Sequence, residues 1–253
     1  MSCDAVASGS TLSDAGVRPL ASALKTLALL DHLGRLSHPV RLAALSRELG
    51  TPRATIYQRL LTLMEGGWVE QTPDGQFRLT LRAARLAQAA TEQAGLGVRT
   101  LPVLEALTAE TGEAASLAAI EGDEPCIVQR VEPKGVLRIE MRVGATMSLG
   151  ESASGRVLLA FAEPALAARL RALAGEVDAA MLEGVRRARH AISSGRTMDG
   201  IRAAAVPVLD HRGHCIAALS LVAPVQRFPD DGWITPLRAA AKRLNDILKG
   251  QPI

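Results

Sequence analysis

The sequence predicts an α+β chain, with an N-terminal winged helix-turn-helix domain, a linker helix and a larger C-terminal domain built around an antiparallel sheet. Three observations carry this. Three short helical segments and a Pro-Asp-Gly hairpin follow one another within about 60 residues, the order of a winged helix. An alanine-rich stretch, Leu81 to Ala94, follows and favours helix. Beyond it, apolar runs separated by turn signals alternate with amphipathic segments.

The 253 residues suffice for one small and one ordinary domain. The boundaries expected are 1–19 for a flexible arm rich in Ser, Gly, Asp and Ala, 20–80 for the winged helix, 81–97 for the linker and 98–250 for the sensor domain. A hydrophobic fraction of 48% with 22% charged residues describes a chain with a sizeable core. No apolar run reaches the roughly 18 residues of a membrane-spanning helix, and the first twenty residues lack a basic start and an apolar stretch. The expectation is a cytoplasmic protein without a membrane partner. Cys3, Cys126 and Cys215 are far apart, so neither a disulfide framework nor a zinc site is expected.

In the N-terminal domain, Ala21 to Leu33 places Leu24, Leu27, Leu30 and Leu33 on one helical face. A second helix, Val40 to Leu49, stops at Gly50. Thr51-Pro52 then reads as a hydroxyl cap and a proline at the first helical position, and Gly66-Gly67 ends the third helix after Glu65. Strands are expected at Trp68 to Gln71 and Gln76 to Leu79 around Thr72-Pro73-Asp74-Gly75. Between Leu20 and Gln88 nine basic residues stand against five acidic ones, which concentrates positive charge in a chain of net +3 and suits a polyanion.

The second helix of such a pair enters the major groove with its N-terminal turns against base edges. Arg53 and Gln58 match guanine and adenine there, whereas Thr51, Ala54, Thr55, Tyr57 and Arg59 suit phosphates, a thymine methyl or either role. In the wing, Arg78 would track the backbone or the minor groove. A solvated polar face has the same composition, and a winged helix can also dock a protein, so a protein-interaction module with a ligand-sensing domain stays open.

In the C-terminal domain, helices are expected at Thr100 to Glu110, Gly155 to Phe161, Pro164 to Ala172, Met181 to His190 and Ile234 to Leu248. Strands are expected at Ala115 to Glu121, Pro125 to Glu132, Leu137 to Val143, Ala203 to Asp210 and Cys215 to Val222. Met147 to Arg156 passes from a loop of small residues into the apolar helix. Free N–H groups at such a start attract a carboxylate, with Ala153 and Ser154 the candidates, although an ordinary serine-capped helix looks alike. Arg130, Arg138 and Arg142 alternate along expected strands, and one facing inward would meet an acidic ligand. No Ser-His-Asp set, metal-ligand cluster or phosphate loop is recognisable, and His190, His211 and His214 lack a partnered nucleophile. Neither an enzyme, a catalytic residue, a metal nor a cofactor is therefore expected.

From Ala21 to about Phe228 the chain resembles the IclR (isocitrate lyase regulator) family of bacterial transcription factors. The matching stretches are Leu45 to Thr55, the wing, Glu110-Thr111-Gly112-Glu113, Val143-Gly144, Ser152 to Ala160, Gly200-Ile201-Arg202 with Pro207-Val208, and Ala217 to Ser220 with Pro224 and Arg227-Phe228. The resemblance implies a winged helix, a GAF-like effector domain, homodimers or homotetramers, a double-stranded DNA operator and control by small organic acids. It places the effector's carboxylate at Ser152, Ala153 and Ser154, with Ser220 on a strand. Where relatives that bind small keto acids often have Asp, Cys and a second Ser, this chain has Ser193, Ala203 and Val222, and Gly150 replaces a frequent histidine. An acid larger and more apolar than glyoxylate is expected, resting against Ala203, Val222, Leu117 and Met141.

Overall fold

The computed structural model describes residues 18–134, 141–173, 177–193, 200–210 and 212–248. Cys3, Arg138, His211, residues 1–17 of the expected arm and residues 137–140 of an expected strand lie outside them. The chain divides into two compact units between Ala89 and Ala90.

In the first unit α1 (Ala21–Arg35), α2 (Leu42–Glu48) and α3 (Arg53–Glu65) precede an antiparallel hairpin of β1 (Val69–Gln71) and β2 (Phe77–Leu79). Leu29, Leu33, Leu45, Ile56, Leu60, Leu63, Val69 and Phe77 form one buried cluster. Two sequence readings change here. Leu24 and Leu27 remain about half exposed, and α1 turns Leu29, which was not expected, to the core beside the expected Leu33. Val40 does not begin a helix, because its N–H and C=O bond those of Phe77 at 2.9 and 2.8 Å and add a bridge to the wing. Gly75, with φ +79°, closes the wing turn in a conformation that side chains disfavour.

The helix α4 (Arg82–Gln93) buries none of its residues, and the division between the units falls inside it. In the second unit α5 (Leu101–Thr111) leads into β3 (Ala114–Glu121) and β4 (Glu124–Val131). Then come α6 (Ala153–Ala160), α7 (Pro164–Leu173), α8 (Ala179–Ala188), β5 (Ala191–Ser193), β6 (Ile201–Leu209), β7 (Cys215–Pro224) and α9 (Ile234–Leu248). The strands form one antiparallel sheet in the order β4-β3-β7-β6-β5.

Both faces of this sheet are covered, so its strands read as continuous apolar runs. Leu117, Ala204, Val206, Leu219 and Leu221 point to α5 and α9. Ala118, Ala205 and Ala218 point the other way, where their small side chains meet Val157, Leu158 and Leu159 of α6. Pro207 falls beyond the residues that β5 pairs, where a missing N–H costs no ladder bond. The third expected C-terminal strand is not one in its described part, since Met141 to Val143 are irregular or turn. β5, which follows directly on the helix expected to end at His190 and which sequence reading leaves unassigned, provides the fifth strand.

Candidate DNA and effector sites

In α3 the core positions Ile56, Leu60 and Leu63 fix which face turns outward. Arg53, Ala54, Tyr57 and Gln58 are exposed, whereas Thr51, Thr55 and Arg59 are half-buried. The helix start differs from expectation. Pro52, not Thr51, precedes the first helical residue, and no side chain caps it. The Thr51 hydroxyl instead donates to the Leu49 carbonyl at 3.1 Å, while Ser46 Oγ donates to the Thr51 carbonyl at 2.7 Å. These bonds hold the turn between α2 and α3 and leave the leading N–H groups of α3 uncapped, an arrangement suited to a phosphate.

The wing is braced by its own polar groups. Thr72 Oγ1 donates to Asp74 at 2.6 Å and Gln76 donates to the same carboxylate, which holds the Asp74 carboxyl below its ordinary value. Arg78 is exposed and its Nε lies 2.6 Å from Glu70 Oε1. Exposed pairs of this kind contribute little, so a phosphate can compete for the guanidinium.

In the second unit Ser152 caps α6. Its Oγ accepts from the Gly155 N–H at 2.9 Å and donates to the Ser148 carbonyl at 2.6 Å. The cap serves Gly155, so the N–H groups of Ala153 and Ser154 stand ahead of it at the open helix end. Both residues are buried. A side chain at Gly155 would press on the loop backbone, with Leu149 Cα and O only 2.7 and 2.8 Å from an added Cβ. Arg156 fixes the helix start by donating to the carbonyls of Gly150 at 2.8 Å and Ile192 at 3.3 Å.

Strand register determines what lies on the α6 face. One row runs Arg130, Ser116, Ser220, Ala205, Ala191 across β4, β3, β7, β6 and β5, and the next runs Ala114, Val222, Ala203, Ser193. Ser193 Oγ accepts from the Ala203 N–H at 3.0 Å, and Ser220 Oγ donates to the Ser116 carbonyl at 3.4 Å. Because Arg156 ties the start of α6 to β5, the open helix end belongs with the Ser193 and Ala203 end of these rows.

Of the residues named from sequence, Ser152, Ala153, Ser154, Ser193, Ala203, Ser220 and Val222 therefore fall on one side of the sheet. Leu117 does not: its side chain is fully buried on the opposite face. Met141 lies in the irregular stretch outside β4 and belongs to no core cluster among the described residues. Of the described arginines named from sequence, Arg130 is the one buried on this face, and one residue, Ser116, was missed. Ser116 is 2% exposed on the α6 face, and the Arg130 side chain, 3% exposed, donates to its Oγ at 2.7 Å. Arg130 also pairs with Glu132. Pairing parity is what identifies them, and parity needs the partner strands.

Fold and sites define a winged-helix DNA-binding protein joined to a ligand-binding domain. Residues 22–73 match the IclR helix-turn-helix domain and residues 88–246 match the C-terminal domain of the bacterial transcriptional regulator IclR. The chain belongs to the IclR family of bacterial transcriptional regulators. SauR from Cupriavidus necator, named as a transcriptional regulator, is 28% identical over 241 residues, 88% of this chain and 95% of that one. The crystal structure of an IclR-type regulator from Silicibacter sp. TM1040 superposes with a TM-score of 0.73 at 26% identity, covering 92% of this chain and 96% of the other. An IclR homologue from Microbacterium hydrocarbonoxydans, complexed with 4-hydroxybenzoate, shares the fold with a TM-score of 0.74 at 22% identity, covering 90% and 99%. The relatives matched are transcriptional regulators and not enzymes. No helix among the described residues is long and apolar enough to cross a membrane.

Proposed function

We propose that the chain is a homo-oligomeric, sequence-specific regulator whose operator affinity is set by a carboxylate effector larger and more apolar than glyoxylate. The observation that carries the effector reading is the convergence of the open start of α6 with the apolar Ala203 and Val222 and the hydroxyls of Ser193 and Ser220 on one sheet face. The acid's carboxylate accepts from the N–H groups of Ala153 and Ser154, beside the Ser152 cap, and its body rests on Ala203 and Val222. An aromatic acid such as the 4-hydroxybenzoate held by the Microbacterium homologue has the required size and apolar surface.

On the DNA side, Arg53 and Gln58 read bases, Ala54, Thr55 and Tyr57 line the groove, and Thr51, Arg59 and Arg78 serve the backbone. Two copies are needed to present two recognition helices to operator half-sites. Leu20, Leu24 and Leu27 of the α1 region and Leu81 and Leu86 of the α4 region supply exposed apolar surface for that pairing. Effector binding shifts the population of operator-fitting arrangements.

The test is binding of the purified protein to DNA from upstream of its own gene, across a salt series and against a random duplex of equal length. Preferential binding that weakens with salt supports the reading. Absence of binding to either duplex at low salt would transfer the winged helix to a protein-docking role.

A further inference from the structure

Beside α9, where β5 stops short of the far end of β6, lies a cavity of about 290 Å³. Its apolar part comes from Val206 and Pro207 of β6 and Ala241 of α9. Val206 and Ala241 belong to the core cluster under α5 and α9, so the cavity is separate from the α6 face that carries Ala203, Ala205 and Ala218. Its polar side chains are donors. Arg238, Ala241, Lys242 and Asn245 recur at the spacing of one helical face, so α9 presents two cations and an amide around a small alanine. Arg238 is held in place: one Nη donates at 2.7 Å to the carbonyl of Ala188, the last residue of α8, and the other N–H groups of its fork remain. Asn245 is fixed as well, because its Oδ1 accepts from the Leu209 N–H at 2.9 Å and its amino group is the part left to donate.

Arg189 brings a third cation to the lining from the end of α8. It stands at φ +53°, a left-handed conformation that glycine takes freely and a longer side chain takes at a cost, and strain of this kind gathers at ligand-holding positions. Its guanidinium lies 5.8 Å from the Phe161 ring centroid. No carboxylate lines the cavity, and Arg189, Arg238 and Lys242 form no ion pair with an acid among the described residues. Arg238 and Lys242, one helical turn apart, repel each other, and an anion beside them relieves that repulsion. We propose that this cavity binds a compact oxyanion carrying two or more negative charges, a phosphoryl compound or a polycarboxylate, as a second ligand. The proposal stands apart from the effector reading above. Three cations exceed what one carboxylate neutralises, and the volume lies at the small end of ligand sites. The arginine fork of Arg238 takes a pair of oxygens, Lys242 acts as a point charge, and the Asn245 amino group donates to a remaining oxygen.

The experiment is calorimetric titration of the full chain with inorganic phosphate, pyrophosphate and citrate, and with acetate as the monoanion, all at one ionic strength. Saturable binding of at least one multiply charged anion, about tenfold or more tighter than acetate, is expected. Lys242→Ala should weaken it about tenfold and Lys242→Arg should restore most of it. Arg243→Ala, which removes an exposed cation of the same helix outside the lining, should leave it unchanged. Lys242 is exposed, so the thermal midpoint of Lys242→Ala without ligand should equal that of the unaltered chain. Preference for phosphate or pyrophosphate identifies a phosphoryl ligand, and preference for citrate a polycarboxylate. Absence of saturable binding by all three anions overturns the proposal. So does binding that survives Lys242→Ala, which puts the anion elsewhere on the chain, or binding weakened equally by Arg243→Ala, which reduces it to diffuse attraction.

Discussion

At the scale of single residues, the functional assignments separate into groups that touch a ligand and groups that hold the backbone for it. Arg53 is proposed for the first: it is exposed at the first position of α3 and no side chain caps the helix beside it. Arg53→Ala is expected to weaken operator binding by about 1–3 kcal/mol with an unchanged thermal midpoint. Unchanged affinity in a fluorescence titration removes it from the contact set. Arg78 is predicted to act through phosphate, so Arg78→Ala should reduce the slope of log K against log salt by about one. Glu70→Gln, which releases the guanidinium, should tighten binding.

Gly155 belongs to the second group. Its added Cβ in Gly155→Ala meets main chain, which cannot turn aside as a side chain can, so a destabilisation of about 1–3 kcal/mol is expected in chemical denaturation. Glu113 and Arg227, two residues of the family pattern, prove to be one bidentate pair at 2.7 and 2.9 Å that ties the entry of β3 to the exit of β7. Cys215 is a structural thiol. Burial pushes it up to about 12 and its Sγ contacts the Ala217 carbonyl at 3.2 Å, so it carries almost no thiolate at neutral pH. Alkylation followed by mass spectrometry should leave it unlabelled in the folded protein and labelled after denaturation.

At the scale of elements, legibility followed the punctuation. The helix-turn-helix could be read closely because Gly50 and Gly66-Gly67 end its helices and Gly75 turns its wing, all local signals. The α9 boundaries, Ile234 to Leu248, could be read from periodicity. What could not be read depends on partners remote in sequence. β5 is three residues long and exists because β6 pairs with it. Leu117 was placed on the ligand face because a strand buried on both sides offers no polar alternation to fix its parity. Ser116 and Arg130 were overlooked as a unit for the same reason: only the register of β3 with β4 brings them together.

The α1 stripe shows the converse error. Leu24, Leu27, Leu30 and Leu33 have helical spacing, yet the core of their unit takes only the Leu30 and Leu33 end of that stripe, with Leu29 beside it. Spacing reports an apolar face, not what covers it. If a second copy covers it, each leucine side chain buried there contributes about 1.5–3 kcal/mol to assembly. Leu24→Glu combined with Leu27→Glu should then shift sedimentation towards monomer and weaken operator binding, while the melting of the second unit is retained. An unchanged sedimentation profile would remove α1 from the interface.

At the scale of the whole molecule, the proposal is a linkage between two equilibria in one chain. If the effector changes operator affinity by some factor, the operator must change effector affinity by the same factor, because both paths connect the same four states. Couplings of this kind commonly amount to about 5- to 150-fold, within reach of direct titration. The measurement pairs two experiments at one salt concentration: operator binding with and without saturating acid, and acid binding with and without saturating operator. Equal factors are expected, with a random duplex producing a much smaller change in acid affinity. An effect in one direction alone would show that the acid acts outside this cycle, for example by changing the oligomer. Repeating both titrations over a range of protein concentration separates that case, since an assembly step makes the apparent factor concentration-dependent whereas a shift within a fixed oligomer does not.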